Sequence, residues 1–297
     1  MAIDNFDPYY DPSQKRRNVA AASRNSAYQL LEIDVRNANE LHDAFGTFKP
    51  DLVVHLAAKA GVRASVADPL SYLQVNELGG LNILQACVKS GNTPLVFAST
   101  SSVYGSSAMP PFSEDDCAAH PLSPYAASKR ASELMVHSFH HIHQQPAAIL
   151  RFFTVYGPRG RPDMAMHLFT RALREGRTIR IHGEDTARDF TYVDDIVDGV
   201  MGAIRWVRET RGFGTFNLGR AEPVNVRRFV ELLAAQVNVV PNIVLGELQP
   251  GESPVTAANV SRAREALGYS PKVTLEEGIR GWLTWLDNSE EAPTIEQ

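Results

Sequence analysis

The sequence has 297 residues, of which 44% are hydrophobic and 21% are charged. These proportions are typical of a globular protein and exclude a disordered or low-complexity chain. Lys and Arg (29) and Asp and Glu (34) give a net charge of −5, and the basic residues are dispersed, so the sequence predicts no nucleic-acid surface. The length allows one α/β fold with a small appended lobe.

The sequence predicts a protein of a reducing compartment without membrane association. Cys87 and Cys117 have neither the spacing of a disulfide framework nor that of a metal site. No apolar run reaches the eighteen or so residues of a membrane span, and residues 1–10 are acidic and aromatic, unlike a secretory signal. We therefore expect a cytoplasmic location.

The first half of the chain alternates short apolar runs with longer helical patterns. Strands are predicted over residues 30–35, 52–56, 95–98 and 148–153, and helices over 69–89 and 124–142. The second helix begins with Ser123 as N-cap and a proline at its first position. This alternation predicts an α/β fold with a Rossmann-like, doubly wound parallel sheet.

After Gly157 the elements become shorter and are mixed with loops rich in glycine and proline. Strands are predicted over residues 178–181 and 215–218, and helices over 194–209, 226–237 and 274–286. We therefore predict a first domain over residues 1–157 and a smaller α/β substrate-binding lobe, mainly residues 158–297, interwoven with it.

The glycine-rich turn of a doubly wound sheet is not found. Such a turn follows the first strand and binds phosphates, whereas residues 1–5 have the pattern of a second strand ending in an acid, Asp4. The sequence therefore predicts that one βα unit of about thirty residues is absent. Losing its backbone N–H groups and its strand would weaken dinucleotide retention and leave two strand edges unpaired.

A tyrosine and a lysine lie four residues apart at the start of the helix predicted over 124–142. Tyr125 and Lys129 share one helix face, so an ammonium beside the phenol is expected to lower its pKa and make it a base near neutral pH. Taken alone, the pair also suits an ordinary helix with a surface tyrosine. Hydroxyl groups follow the strand at 95–98, in Thr100, Ser101 and Ser102, where ligands bind in open α/β sheets. A serine-rich turn that bonds only its own backbone is the alternative.

Together these motifs resemble the extended short-chain dehydrogenase/reductase family, and within its NAD-dependent epimerases and dehydratases they most resemble UDP-glucuronate 4-epimerases. The resemblance rests on residues 4–10 (DNFDPYY), 55–63 (HLAAKAGVR), 100–105 (TSSVYG), the Tyr125 and Lys129 pair, and 151–158 (RFFTVYGP). It extends from Asp4 to Trp285. It implies an NAD cofactor, a UDP-sugar substrate and a homodimer formed through the helices predicted over 69–89 and 124–142.

The resemblance also implies roles for single residues. Tyr125 would remove the proton of the sugar 4-hydroxyl, Thr100 would bond that oxygen with Ser101 beside it, and Lys129 would bind the nicotinamide ribose. Hydride would pass from C4 to NAD and return to the other face of a 4-keto sugar. The implied cofactor contacts are Asp4, Asn5, Asp34, Val35, Ala57, Ala58, Lys59, Asn76, Tyr125, Lys129 and Phe152. The implied substrate contacts are Ser102, Thr154, Arg161 near the sugar carboxylate, and Arg188 at the diphosphate.

Two positions that are acidic in related enzymes are serines in this chain. Sugar 4,6-dehydratases of the family carry an Asp-Glu pair after the threonine, and decarboxylases carry a Glu before Val-Tyr-Gly, whereas this chain has Ser101 and Ser102. Without that acid, epimerisation at C4 is expected in preference to elimination. A dehydratase or decarboxylase stays an alternative, as does a truncated homologue that only binds nucleotide sugars or pairs with another chain.

A metal site is not predicted. His137 and His141 have the i, i+4 spacing of a metal pair, but no Glu or Cys completes the set, and hydride transfer needs no metal. We expect a solvated helix end there.

Overall fold

A parallel β-sheet covered by helices forms the centre of the protein. The structure is a computed structural model, and it describes residues 1–106 and 108–289. The strands are β1 (Ala2–Ile3), β2 (Leu30–Leu31), β3 (Val53–His55), β4 (Leu95–Thr100), β5 (Ala147–Phe152), β6 (Thr154–Tyr156), β7 (Ile179–His182), β8 (Ala187–Tyr192), β9 (Phe213–Leu218), β10 (Pro223–Asn225) and β11 (Ile243–Gly246). The α-helices are α1 (Pro12–Ala20), α2 (Ala38–Phe48), α3 (Val62–Ala67), α4 (Pro69–Tyr72), α5 (Gly79–Lys89), α6 (Pro124–His143), α7 (Ala165–Arg174), α8 (Val193–Thr210), α9 (Val226–Gln236), α10 (Ser261–Leu267) and α11 (Leu275–Asn288).

The main sheet has the order β3-β4-β5-β9, and all its pairs are parallel. All six residues of β4 are buried, as expected for a strand covered on both faces. Alternate residues of β4 and β5 face opposite layers: Val96 and Leu150 pack with α8, whereas Phe97 and Ile149 pack with α5 and α6. The predicted Rossmann-like α/β class is confirmed.

Strands β1 and β2 pair with each other apart from the main sheet. Ala2 aligns with Leu30 and Ile3 with Leu31, and within the described ranges β1 has no other partner strand. Strand β2 is shorter than the predicted 30–35 because β1 offers only two residues to pair with it.

The helix predicted over residues 69–89 is present, but its middle differs in winding. Helix α4 and helix α5 are joined by a π-helical segment, Leu73–Leu78. Such segments occur frequently at functional sites. This one contains Asn76, whose side chain is 2% exposed.

A glycine shapes the turn that follows β4. Ser101–Tyr104 form a 3₁₀-helix, and Gly105 after it has φ of +53°. A Cβ at this position would meet the carbonyl oxygen of His120, so a larger residue would displace one of the two segments. The turn holds Thr100 and the two serines at the carboxyl edge of the sheet.

The C-terminal part of the chain adds two small sheets, β10-β8-β6 and β11-β7, and a second apolar core. Trp282 of α11, fully buried, lies in this core with residues of α7 and α9. Strand β9, by contrast, joins the main sheet beside β5. The division at residue 157 stays a prediction. No helix in the described ranges is long and apolar enough to cross a membrane.

Candidate active site

One cavity of about 780 Å³ lies at the carboxyl edge of the main sheet, between that sheet and the C-terminal lobe. It brings together residues that the sequence analysis selected as catalytic and substrate-binding candidates. Those that line it are Thr100, Ser101, Ser102, Tyr125, Thr154, Arg161 and Arg188. Phe152, at the end of β5, also lines it.

The first turn of α6 places Tyr125 in this cavity. Ser123 is the N-cap, its hydroxyl accepts a hydrogen bond from the Ala126 amide at 3.2 Å, and Pro124 occupies the first helical position. This capping sets where the helix begins and therefore which way Tyr125 points. Its ring packs edge-on against Tyr72, with 6.1 Å between centroids.

The pKa of Tyr125 differs from the sequence-based expectation. Burial raises it above its usual value, while a hydrogen bond with the Thr100 side chain and the positive charge of Arg161 act in the opposite direction. The expectation that Lys129 lowers this pKa is wrong: burial raises it, and the groups that favour the phenolate are Thr100 and Arg161.

Lys129 is buried without a counter-ion. The side chain is 3% exposed, and its ammonium lies 4.5 Å from the centre of the Phe97 ring. Among the described residues it has neither a hydrogen-bond acceptor nor an ion-pair partner. Burial lowers the pKa of Lys129 to about 8, although the charge of Glu133 raises it. An ammonium without an acceptor at the end of a largely buried side chain fits a ligand that brings hydroxyl groups, as the ribose of NAD does.

We expect Lys129→Met to stabilise the protein while abolishing turnover. Removing the buried charge should raise the free energy of unfolding at pH 7, without NAD, by roughly 1–3 kcal/mol. The folded pKa of about 8 lies below the usual 10.5, so the unfolded state binds more protons between these values. Wild-type stability therefore rises with pH across this window, and the variant's advantage shrinks. Urea unfolding at pH 7 and pH 10 measures the stability difference between variant and wild type at each pH, with exposed Lys89→Met as control. A variant that is less stable than wild type at pH 7 would contradict the interpretation.

Thr100 and the serines after it form a small hydroxyl cluster. The Thr100 hydroxyl donates to the Ser102 hydroxyl and accepts from the Ser102 amide, both at 3.2 Å. In the described part of the chain, the carboxylates that line the cavity are Asp163 and Glu252. Both are ion-paired: Asp163 with Arg161 at 2.8 Å, and Glu252 with Arg63 at 2.9 Å and Arg188 at 3.4 Å. No free acid therefore stands beside the hydroxyl cluster within the described ranges.

The arginines of the cavity are held in defined orientations. Arg188 donates through Nη1 to the carbonyl oxygens of Ala187 and Pro254, both at 3.0 Å. Burial lowers its pKa, although the charge of Glu252 raises it. Sequence reasoning selected Arg161 and Arg188 but missed Arg63, Asp163 and Glu252. Arg63 lies inside the quoted segment 55–63 and Asp163 lies two residues after Arg161, so their charges were usable signals, whereas nothing local marks Glu252.

Four cofactor candidates, Asp4, Asn5, Asp34 and Val35, follow the ends of β1 and β2 and do not line the cavity, unlike Phe152 and Tyr125. Asp4 accepts a hydrogen bond from the Phe6 amide at 2.7 Å, and Asn5 donates to Asp34 at 2.9 Å. Hydrogen bonds from Arg36 hold the pKa of Asp34 well below its usual range. Val35 follows Asp34 and contacts Gly79 closely.

Three further cofactor candidates lie in the loop after β3, and Asn76 of the π-helical segment bonds to this loop. Ala57 is exposed and Ala58 half-buried. Asn76 binds the backbone of Lys59 through both side-chain atoms, at 2.8 and 3.0 Å, and donates to Ser128 of α6 at 2.9 Å. Its side chain therefore joins this loop to the helix of Tyr125 and Lys129.

Two histidines of α6 contact the ring of Phe213. His137 meets the Phe213 ring edge-on, and His140 stacks on the same ring and bonds the Gln145 carbonyl at 2.8 Å. In residues 1–106 and 108–289, no three His, Cys, Asp or Glu side chains are grouped to hold a metal ion.

A Rossmann-like sheet with a Tyr and Lys pair on one helix, facing hydroxyl groups at the end of the neighbouring strand, defines an enzyme of the short-chain dehydrogenase/reductase type. A model of the NAD dependent epimerase/dehydratase family matches residues 10–219. The chain belongs to this family, whose cofactor is NAD.

Relatives over nearly the whole chain support the assignment. UDP-glucuronate 4-epimerase 4 of Arabidopsis thaliana is 40% identical over 96% of this chain and 69% of its own length. UDP-glucuronate 4-epimerase of Thermodesulfobacterium geofontis is 35% identical over 96% of this chain and 87% of its own. The crystal structure of UDP-glucuronic acid 4-epimerase from Bacillus cereus with UDP-glucuronic acid and NAD shares 33% identity and a TM-score of 0.89, covering 96% of this chain and 90% of that one.

Proposed function

We propose that this chain is a UDP-sugar 4-epimerase that interconverts UDP-glucuronate and UDP-galacturonate. The observation that carries the proposal is that Tyr125, Thr100 and two arginines, Arg161 and Arg188, line the same cavity. The names of the relatives at 35 and 40% identity support the same substrate.

The reaction centre consists of the chain's own hydroxyl groups. Tyr125 takes the proton of the sugar 4-hydroxyl, and Thr100, beside it, hydrogen-bonds the same oxygen. Ser101 and Ser102 contribute further hydroxyls at the sugar. Lys129 holds the ribose hydroxyls of the cofactor, which satisfies its buried ammonium. NAD, when bound, would supply reversible hydride transfer at C4, so the epimerisation would involve no net oxidation.

The two arginines bind the two anionic groups of the substrate. An Arg side chain suits a phosphate or a carboxylate because it stays charged and donates bidentately. Arg188, oriented by two carbonyl oxygens, binds the diphosphate. Arg161 binds the C6 carboxylate, and Thr154 bonds the sugar nearby.

Epimerisation fits the cavity better than elimination or decarboxylation. A dehydratase needs an acid that protonates the departing C6 hydroxyl. Within the described ranges the cavity carboxylates are engaged by arginines, and serines occupy positions 101 and 102.

Product analysis tests the proposal. The purified chain is incubated with added NAD and, separately, UDP-glucuronate, UDP-glucose and UDP-xylose, and the products are resolved by anion-exchange chromatography and proton NMR. We expect UDP-galacturonate to form from UDP-glucuronate. A 4-keto-6-deoxy sugar from UDP-glucose would show a dehydratase, and a UDP-pentose with released CO₂ would show a decarboxylase. Binding of UDP-glucuronate without conversion would show a nucleotide-sugar binder.

We also propose that the enzyme is a homodimer. Helix α5 packs beside α6, and the outer surface of this helical layer exposes large apolar side chains. They are Leu70, Leu73, Leu78, Leu134, Met135 and Ile142, each at least 40% exposed. An apolar patch of this kind marks an interaction site on a soluble protein, and a second copy would cover it symmetrically.

We expect Leu134→Glu to convert the dimer to a monomer, because two-fold symmetry places two carboxylates in one apolar interface. Light scattering after gel filtration measures the mass. Leu168→Glu on α7 is the control, since Leu168 is similarly exposed at 50% but lies on another helix. A monomeric wild type, or a dimeric Leu134→Glu, would refute the interface.

A further inference from the structure

Arg161 lies beside tyrosines of the first half of the chain. Its guanidinium carbon lies 5.5 Å from the centre of the Tyr9 ring. A Cβ placed on Gly61 would be 3.5 Å from both Arg161 Nη2 and the Tyr72 hydroxyl, which shows how closely these groups approach one another. The charge of Arg161 acts on Tyr125. Arg161 lines the same cavity as Tyr125 and Thr100, so its orientation bears on catalysis.

Asp163 holds one edge of this guanidinium. Arg161 donates to it through Nε at 3.0 Å and through Nη2 at 2.8 Å. Within the described ranges Nη1 has no hydrogen-bond partner, so one corner of the fork stays available for a second anion. A bidentate pair fixes the plane of the guanidinium, and therefore the direction in which that corner points.

A third group, Tyr9 from the N-terminal segment, also contacts Asp163. The Tyr9 hydroxyl donates to Asp163 Oδ2 at 3.0 Å, across 154 residues of sequence. Tyr9 itself is held by a series of local hydrogen bonds: its amide donates to Asp7, whose amide donates to Asn5. The series leads back to Asn5, which the family resemblance implies as a cofactor contact together with its neighbour Asp4.

We propose that Tyr9 and Asp163 form a clasp that positions Arg161 for the C6 carboxylate and joins this contact to the cofactor half of the protein. The clasp is the set Tyr9, Asp163 and Arg161. It rests on the proposed function, which it deepens by assigning selectivity for uronate over neutral sugars to two further positioning residues. Occupation of the segment around Asp4 and Asn5 by NAD steadies Tyr9 and thereby the direction of Arg161.

An isolated ion pair at i, i+2 on a surface loop would contribute little. This pair differs in two respects. Arg161 is only 25% exposed and Asp163 38%, so solvent screens them incompletely. The carboxylate also receives the Tyr9 hydroxyl, which an accidental surface pair would not attract from a remote segment.

The test compares Tyr9→Phe, Asp163→Asn and the double variant with wild type, using Tyr28→Phe as matched control. Dissociation constants for UDP-glucuronate and UDP-glucose are measured calorimetrically with and without NAD. KM and kcat are measured with each of the two UDP-sugars in the presence of NAD. We expect Tyr9→Phe to weaken the binding of UDP-glucuronate about three- to tenfold, which corresponds to the loss of one hydrogen bond. The binding of UDP-glucose should be nearly unchanged. The double variant should resemble Asp163→Asn, because both residues act through one contact.

Each outcome has a definite meaning. Equal loss for both sugars, no loss in Tyr9→Phe, or additive losses in the double variant would overturn the clasp. If adding NAD leaves the preference of wild type for UDP-glucuronate over UDP-glucose unchanged, the link between the clasp and the cofactor half would be overturned. Binding constants do not require turnover, so selective binding without UDP-galacturonate formation would refute the proposed function and leave the clasp standing.

Discussion

Replacement of Tyr125 with Phe is expected to lower kcat for UDP-glucuronate by about 10²- to 10⁴-fold, the usual contribution of a positioned general base. The phenol is the group that faces Thr100 in the cavity, and Phe keeps the ring that packs on Tyr72. KM should therefore change little. Single-turnover formation of UDP-galacturonate with added NAD measures the effect, and Tyr28→Phe is the control. An unchanged rate would remove Tyr125 as the base.

The pH dependence of wild type follows from the same group. Burial raises the pKa of Tyr125, so activity should rise with pH as the phenol ionises. The charge of Arg161 favours the phenolate, and Arg161→Leu should therefore move the acidic limb of the profile to higher pH. In Tyr125→Phe this limb should disappear. A limb that stays in place in both variants would belong to another group.

Removal of the Glu133 side chain is expected to destabilise the fold by about 3–5 kcal/mol, as for the loss of one partner of a buried ion pair. Glu133 is 2% exposed and accepts from Ser99 at 2.5 Å, from Arg151 at 2.9 and 2.8 Å, and from Arg130 at 2.9 Å. Arg151 is 3% exposed, and its Nη1 has no partner among the described residues. Glu133→Ala would leave this guanidinium charged and uncompensated.

Urea unfolding of Glu133→Ala at pH 7 measures the loss. Arg130→Ala is the control, because Arg130 is more exposed and its loss leaves the pair with Arg151 intact. Burial raises the pKa of Glu133, but the hydrogen bonds and charge of Arg151 outweigh this and hold it below its usual 4.5. The stabilisation is therefore present above pH 4.5 and is lost as the pH falls through the folded pKa. A loss of under about 1 kcal/mol at pH 7 would contradict this role for the pair.

Glu133 also connects stability with the active site. It lies one turn after Lys129 on α6, and its charge raises the pKa of that lysine. Its bond to Ser99 ties α6 to the end of β4, one residue before Thr100. A single carboxylate thus holds the helix of Tyr125 and the strand of Thr100 in register.

Local patterns in the sequence were enough to predict the framework of the site. The apolar run at 95–98 predicts a strand buried on both faces, and Ser123 with Pro124 marks the start of α6. The four-residue spacing of Tyr125 and Lys129 then places both on one face of that helix. These features are readable because periodicity and capping depend on residues close in the chain.

The partners of those residues were decided only by the tertiary structure. Glu133 meets Arg151 across 18 residues, Tyr9 meets Asp163 across 154, and Arg63 meets Glu252 across 189. No local pattern names a partner at such distances. The pKa directions of Tyr125 and Lys129 depend on burial as well, which a sequence does not display. Residue types and their spacing in the sequence indicate which groups can act as base, hydrogen-bond donor or anion ligand. Which charges are paired depends on the packing of the chain, because desolvation and contact exist only in the folded protein.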